Sequence, residues 1–409
     1  MKINNLILIA SSFLISIILL YVLVFTYIFY IQGIKNNEII LNKEEINFIE
    51  KYSKTLHHIR HYKDQPPGLK HTKVNELLFT REQNHISKDS FIFMGDSWFE
   101  QLMVYEKSSN AINKYFNDKK VNYTNAAISS YSPTLMTLLF KILVKDFEMK
   151  PNNLVIYIDQ LDFGDEICRY KKNRYFNKDT NKLEGVKDIF YLPRTSVFYK
   201  IAESDSHWLI KDIKRFNFLI IEKSKLIKNK IKKLLNKDLN IYGCSDFQIY
   251  NSLINPSQED IQYFKNSIKL MLNTFTKNKN IENILIVTFP HRNNLKLIDN
   301  FSILKDEVNE EMLKFDIFKK NKISKILTTK NFKINVGSFI NEYINENNNQ
   351  KVLHLDFTKK YSSNEIGIYN NSYRVGDPTS HLKRNEHLNI FTKNIILKID
   401  NFLQINKNK

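Results

Sequence analysis

Glycine and cysteine are both scarce. Nine glycines and two cysteines stand in 409 residues. The cysteines, Cys168 and Cys244, lie far apart with no Cys-x-x-Cys or Cys/His spacing, so neither a zinc site nor a disulfide framework is indicated. A single bond between them is left open. No internal repeat is evident. Charge of one sign is in short supply too: 61 Lys and Arg face 43 Asp and Glu, a formal net charge of +18. A basic field of this kind concentrates polyanions, but the lysines run through every segment, with no aromatic-basic interleaving and no nucleic-acid module. Nucleic acid is therefore not the expected partner.

Charge is missing altogether from Leu6 to Tyr30, LILIASSFLISIILLYVLVFTYIFY. At about 1.5 Å of helical rise per residue, this run exceeds what a bilayer core of about 30 Å requires. It is too long for the apolar region of a signal peptide, and no small-x-small site follows it before Gln32. The expectation is an uncleaved anchor over residues 1–35 with membrane lipid as its partner. The flanking charges barely discriminate orientation.

Residues 36–89 form a polar connector, and their TLHHIRHYKDQPPG stretch ends in a turn signal. His57, His58 and His61 have no carboxylate or cysteine at ligand spacing, so a solvated juxtamembrane helix is expected rather than a metal site. Short apolar runs then alternate with helical patterns. SFIFMG (90–95), LVIYID (154–159), ILIVTFP (284–290) and KVLHLD (351–356) are too continuous for a sheet with one wet face. Segments 132–148 and 386–405 carry apolar residues at helical spacing. The pattern predicts an α/β fold, a three-layer α/β/α sandwich on a central parallel sheet. Its core should span 90–170 and 280–403, interrupted by a basic, mainly helical insertion over 171–279. Within that insertion, Ile213, Phe216, Leu219, Ile220, Ile227, Ile231 and Leu234 share one helical face. That face suits either a solvated helix or a surface lying on anionic lipid or glycan.

Against this scarcity of glycine, FIFMGDSWFEQ stands out. A buried strand ending at Gly95 and passing through Asp96 to a helix would set the Ser97 hydroxyl at the carboxyl edge of the sheet. Helix-terminal N–H groups beside it could stabilise an oxyanion. The same tripeptide also makes an ordinary helix cap. A nucleophilic serine needs a base, and the base needs an orienting acceptor. VGDPTSHLKRNEHLNIF (375–391) offers Asp377 and His381 in a loop before the final helix. YTNAAISSYSP (123–133) and LVIYIDQLDFGDE (154–166) should open onto the same edge, and so should TFPHRNN (288–294), which adds His291 and Arg292 as pocket candidates.

The order Gly95-Asp96-Ser97, Asn125 to Ser130, Asp159 to Asp162, then Asp377 and His381 resembles the SGNH hydrolase superfamily, or GDSL-like esterases. The resemblance implies a flavodoxin-like sandwich with Ser97 as nucleophile, His381 as general base and Asp377 as its orienter. It also implies an oxyanion hole from the amides of Ser97 and Ser130, or Ser129 in place of Ser130. Gly95, Asp96, Asn125, Asp159, Asp162, His291 and Arg292 would line the pocket, with Asp159 also read as a structural hydrogen-bonding group. No cofactor and no metal are implied. Two departures stand out. Leu161 occupies a position where the family offers an Asn donor, leaving Gln160 or a backbone group to substitute, and Asp377 and His381 are four apart rather than three. The expected activity is ester hydrolysis through an acyl-enzyme on O-acyl groups of cell-envelope glycans, by a domain outside the cytoplasm. Acyl transfer to a sugar, or a silent glycan-binding role, are the alternatives. Oligomeric state is not legible.

Overall fold

The buried apolar runs become strands. In the computed structural model, the residues described are short helical pieces within 12–23, then 43–60, 74–82, 90–187, 246–289, 333–357 and 386–407. They include eight strands: β1 (Thr80–Glu82), β2 (Ser90–Met94), β3 (Asn122–Asn125), β4 (Asn153–Tyr157), β5 (Arg174–Phe176), β6 (Leu183–Val186), β7 (Asn283–Thr288) and β8 (Val352–Asp356). Six of them form one sheet in the order β1-β3-β2-β4-β7-β8. Only β1 runs antiparallel, pairing with β3 at one edge. The remaining five are parallel, and numbered along the chain their spatial order is 2-1-3-4-5. This is the flavodoxin-like order, whose direction reverses between the first and third parallel strands. That reversal lies between β2 and β4.

Helices cover both faces, as strands with no wet side require. The described helices are α1 (Lys43–Leu56), α2 (Ser97–Val104), α3 (Glu106–Lys119), α4 (Pro133–Asp146), α5 (Gln160–Gly164), α6 (Asp246–Ile254), α7 (Gln258–Thr276), α8 (Val336–Asn347) and α9 (Glu386–Lys407). On one face, Phe91, Phe93, Val155, Tyr157, Leu285, Val287 and Leu355 pack with Trp98, Phe116 and Phe391 from α2, α3 and α9. The alternate residues, Ile92, Met94, Ile156 and Ile286, are also buried. Phe391 of α9 meets Trp98 at 5.5 Å between ring centroids and Tyr157 at 6.1 Å. Fully burying such a side chain contributes about 2–3 kcal/mol.

Several expectations change. The chain divides into two units, Met1–Glu50 with Leu192–Asp238, and Lys51–Tyr191 with Leu239–Lys409; the second holds the sheet. The expected insertion is not helical throughout: near its start β5 and β6 form a separate antiparallel pair. Its last part, α7, belongs to the sheet's helical cover: Phe140 of α4 and Phe275 of α7 meet at 4.7 Å. The expected amphipathic stretch 211–237 lies outside the described residues. So does most of the expected anchor, and no described helix is long and apolar enough to cross a membrane.

The histidine-bearing connector is not a solvated helix. His57, His58 and Arg60 are 4, 6 and 3% exposed. Burial lowers the His57 pKa, and its Nδ1 meets the Lys187 carbonyl at 2.9 Å. Arg60 donates to the carbonyls of Glu76, Asn125 and Ala127 and pairs with Glu100 at 3.3 Å. Its charge is thus met inside the fold rather than by water.

Candidate active site

Ser97 opens α2 at the carboxyl end of β2, beside the reversal of strand order. From Phe91 to Leu102 it is the one residue that is not buried. Its address follows from its neighbours. Asp96 caps the helix, its carboxylate accepting from the Trp98 N–H at 2.8 Å. Gly95 takes φ of 156°, and a Cβ there would stand 2.9 Å from the Tyr157 Cβ and 3.1 Å from the Tyr157 carbonyl oxygen. The missing side chain therefore serves the close approach of β4.

Asp159 and Asp162 close the opposite wall. Asp159 caps α5, accepting from the N–H groups of Leu161 at 2.7 Å and Asp162 at 3.3 Å, while Asp162 accepts from the Asp159 N–H at 2.9 Å. This is a reciprocal capping box. The Asp159 carboxyl is pushed up to about 7, first by burial, against the pull of its N–H donors. Asp96 and Asp162 are raised well above the usual range, first by burial; the negative charge of Asp159 adds to both, and that of Asp96 adds to Asp162. One oxygen from each of the three carboxyls lies within 4.8 Å of the others. Such an all-oxygen set fits a hard cation in type, and protons shared among the acids relieve the same repulsion. The three acids meet only through the parallel pairing of β2 with β4, so no ligand spacing betrays them in sequence.

The turn after β3 lies alongside. Ala126 and Ile128 donate to the carbonyls of Phe93 at 2.8 Å and Gly95 at 3.0 Å. The Asn125 side chain donates to the Phe99 carbonyl and accepts from the Ala127 N–H, both within the buried frame. The Ser129 N–H is committed to Glu100 Oε2 at 3.0 Å. That commitment removes Ser129 as an oxyanion donor. Nothing among the described residues accepts from the Ser130 amide, and Ser130 takes φ of 64°.

Leu161 is 9% exposed and Gln160 1%, and the Gln160 side-chain carbonyl accepts from the Val336 N–H at 3.3 Å. Gln160 thus braces α8 through its side-chain carbonyl. Asp377, His381, His291 and Arg292 lie outside the described residues. The imidazoles of His57, His58 and His354 are all engaged elsewhere. His58 Nε2 meets the Ser129 carbonyl at 2.9 Å, and His354 bridges Thr288 Oγ1 at 2.8 Å and Asn341 Oδ1 at 2.9 Å.

The sequence reading missed a second tier of side chains. Glu166, fully buried, accepts from Ser132, from both the N–H and the hydroxyl of Thr134, and from Ser267, and it pairs with Arg174. It lies in a π-helix, Asp165–Tyr170, with Arg169 and Tyr170. Nothing in DEICRY marks these residues, since no periodicity distinguishes a π-helix from a loop rich in charge. Cys168, on the same helix, is disulfide-bonded. The chain's one other cysteine, Cys244, lies outside the described residues.

No family model matches the chain, and no curated protein matches it. Among solved structures it is similar to a protein from Bacteroides fragilis NCTC 9343, provisionally named an acylhydrolase. The alignment covers 79% of this chain and 91% of that one, at 10% identity and a TM-score of 0.32. A likeness that loose decides nothing, and the fold rests on the strand order.

Proposed function

We propose that the chain is a serine ester hydrolase of SGNH type. Ser97 attacks the ester carbonyl, and the amides of Ser97 and Ser130 receive the oxyanion. His381, oriented by Asp377, takes the serine proton and returns it to the leaving alcohol. Water then attacks the acyl-serine carbonyl, and the carboxylic acid leaves with Ser97 restored. The observation carrying this reading is Ser97 itself, solvent-reachable in an otherwise buried stretch, on a helix N-terminus at the switch point where doubly wound sheets place ligands.

The proposed substrates are O-acyl groups of envelope glycans, reached by a domain tethered through residues 1–35 and lying outside the cytoplasm. The disulfide at Cys168 supports an oxidising compartment. Hydrolysis of an aryl acetate by the wild type should fall at least about 10³-fold in Ser97→Ala. A fluorophosphonate should label only the wild type. Equal rates in the two proteins, with no labelling, would overturn the assignment.

One observation favours a second reading. Leu161 cannot donate, and Gln160 is turned toward Val336. A hole short of one donor suits a silent member that binds acylated glycan, for which binding survives Ser97→Ala and turnover is absent from both proteins.

A further inference from the structure

Ser130 sits in the left-handed region, where an L side chain crowds its own carbonyl and which glycine enters freely. Something must hold it there. Two donors from the π-helix do so. The Tyr170 hydroxyl donates to the Ser130 carbonyl at 2.6 Å, and Arg169 Nη1 donates to Ser130 Oγ at 2.8 Å. Both donors are themselves fixed. Arg169 Nε pairs with Asp165 at 3.1 Å. Tyr170 is fully buried, with its ring 5.5 Å from that of His57 and 6.4 Å from that of His58. The preceding residue is gripped as well, its N–H by Glu100 and its carbonyl by His58. Glu100 lies one turn after Ser97 on α2, so this set of bonds ties the turn to the helix that carries the serine.

We propose that Arg169 and Tyr170 are positioning residues that hold Ser130 in its left-handed turn, so that its amide is preset as a donor for the reaction at Ser97. The inference rests on the ester-hydrolase reading. Oxyanion donors act only when already aimed at the position the charge will occupy, so slack in the turn shows in the chemical step and not in substrate capture.

Glycine supplies a test that ordinary destabilisation cannot imitate, because it adopts the turn with no clamp. Tyr170→Phe is expected to lower kcat at least about tenfold on an aryl acetate with KM within about twofold. Added to Ser130→Gly, whatever the kcat of that variant alone, the same change should cost less than about threefold. Thermal unfolding of each variant checks that it is folded. Should Tyr170→Phe fail to fold, Arg169→Gln enters the same cycle. An equal cost in both backgrounds, or no cost in either, while Ser97→Ala still abolishes turnover, would overturn the positioning role alone. Turnover indifferent to Ser97→Ala would overturn the hydrolase reading and the positioning role with it.

Discussion

At Gly95 the missing Cβ would press on the backbone and Cβ of Tyr157. Neither contact can move without shifting β4, so Gly95→Ala should destabilise the fold by about 1–3 kcal/mol, read as a lower midpoint of denaturant unfolding. An unchanged midpoint would mean that β2 and β4 have slack at the site. This residue was legible in FIFMGDSWFEQ as special, but its reason was not. A sequence shows that glycine is present and does not show which strand comes up against it. Ser97 was legible with its place, since a strand-to-helix turn is local. Ser129 and Ser130 were not separable until the Glu100 carboxylate took the Ser129 N–H.

At the scale of elements, the caps of α2 and α5 face each other across β2 and β4, and their three buried carboxyls make the pairing sensitive to pH. Asp159 is pushed up to about 7, and Asp96 and Asp162 are raised too, burial being the first cause for each. In the unfolded chain such groups titrate near about 4. Between about 4 and about 7 the folded state therefore holds more protons, and the stability of the fold declines as pH rises through that window. Asp162→Asn keeps an acceptor for the Asp159 N–H while removing one charge. It should flatten the decline, measured as urea midpoints at about pH 5 and about pH 8. Parallel traces for the two proteins would show that the acids do not share their charge. Strands β2, β4, β7 and β8 were readable from their continuous apolar runs, as were α4 and α9 from their period. β1, the β5–β6 pair and the π-helix were not, being too short or too polar to carry a period. Helix α7 fell within the expected, mainly helical insertion, but its place in the sheet's cover was not legible, since its partner α4 lies more than a hundred residues earlier.

Across the whole molecule, the disulfide at Cys168 ties the π-helix to a distant part of the chain, Cys244 being the one other cysteine. A cross-link closing so long a loop restricts the unfolded chain and contributes about 2–5 kcal/mol. Protein denatured without reductant should take up no maleimide, and after reduction it should take up two. Labelling before reduction would remove the oxidising compartment from the proposal.

The grip of His58 and Arg60 on the backbone between Asn125 and Ser129 bears on where the protein can be cut. Although the parallel sheet begins only at Ser90, a recombinant fragment trimmed to that point would leave the Glu100 carboxylate without its guanidinium and several carbonyls without donors. A fragment meant to fold has to keep His58 and Arg60, so the expected connector is, at those residues, part of the folded body.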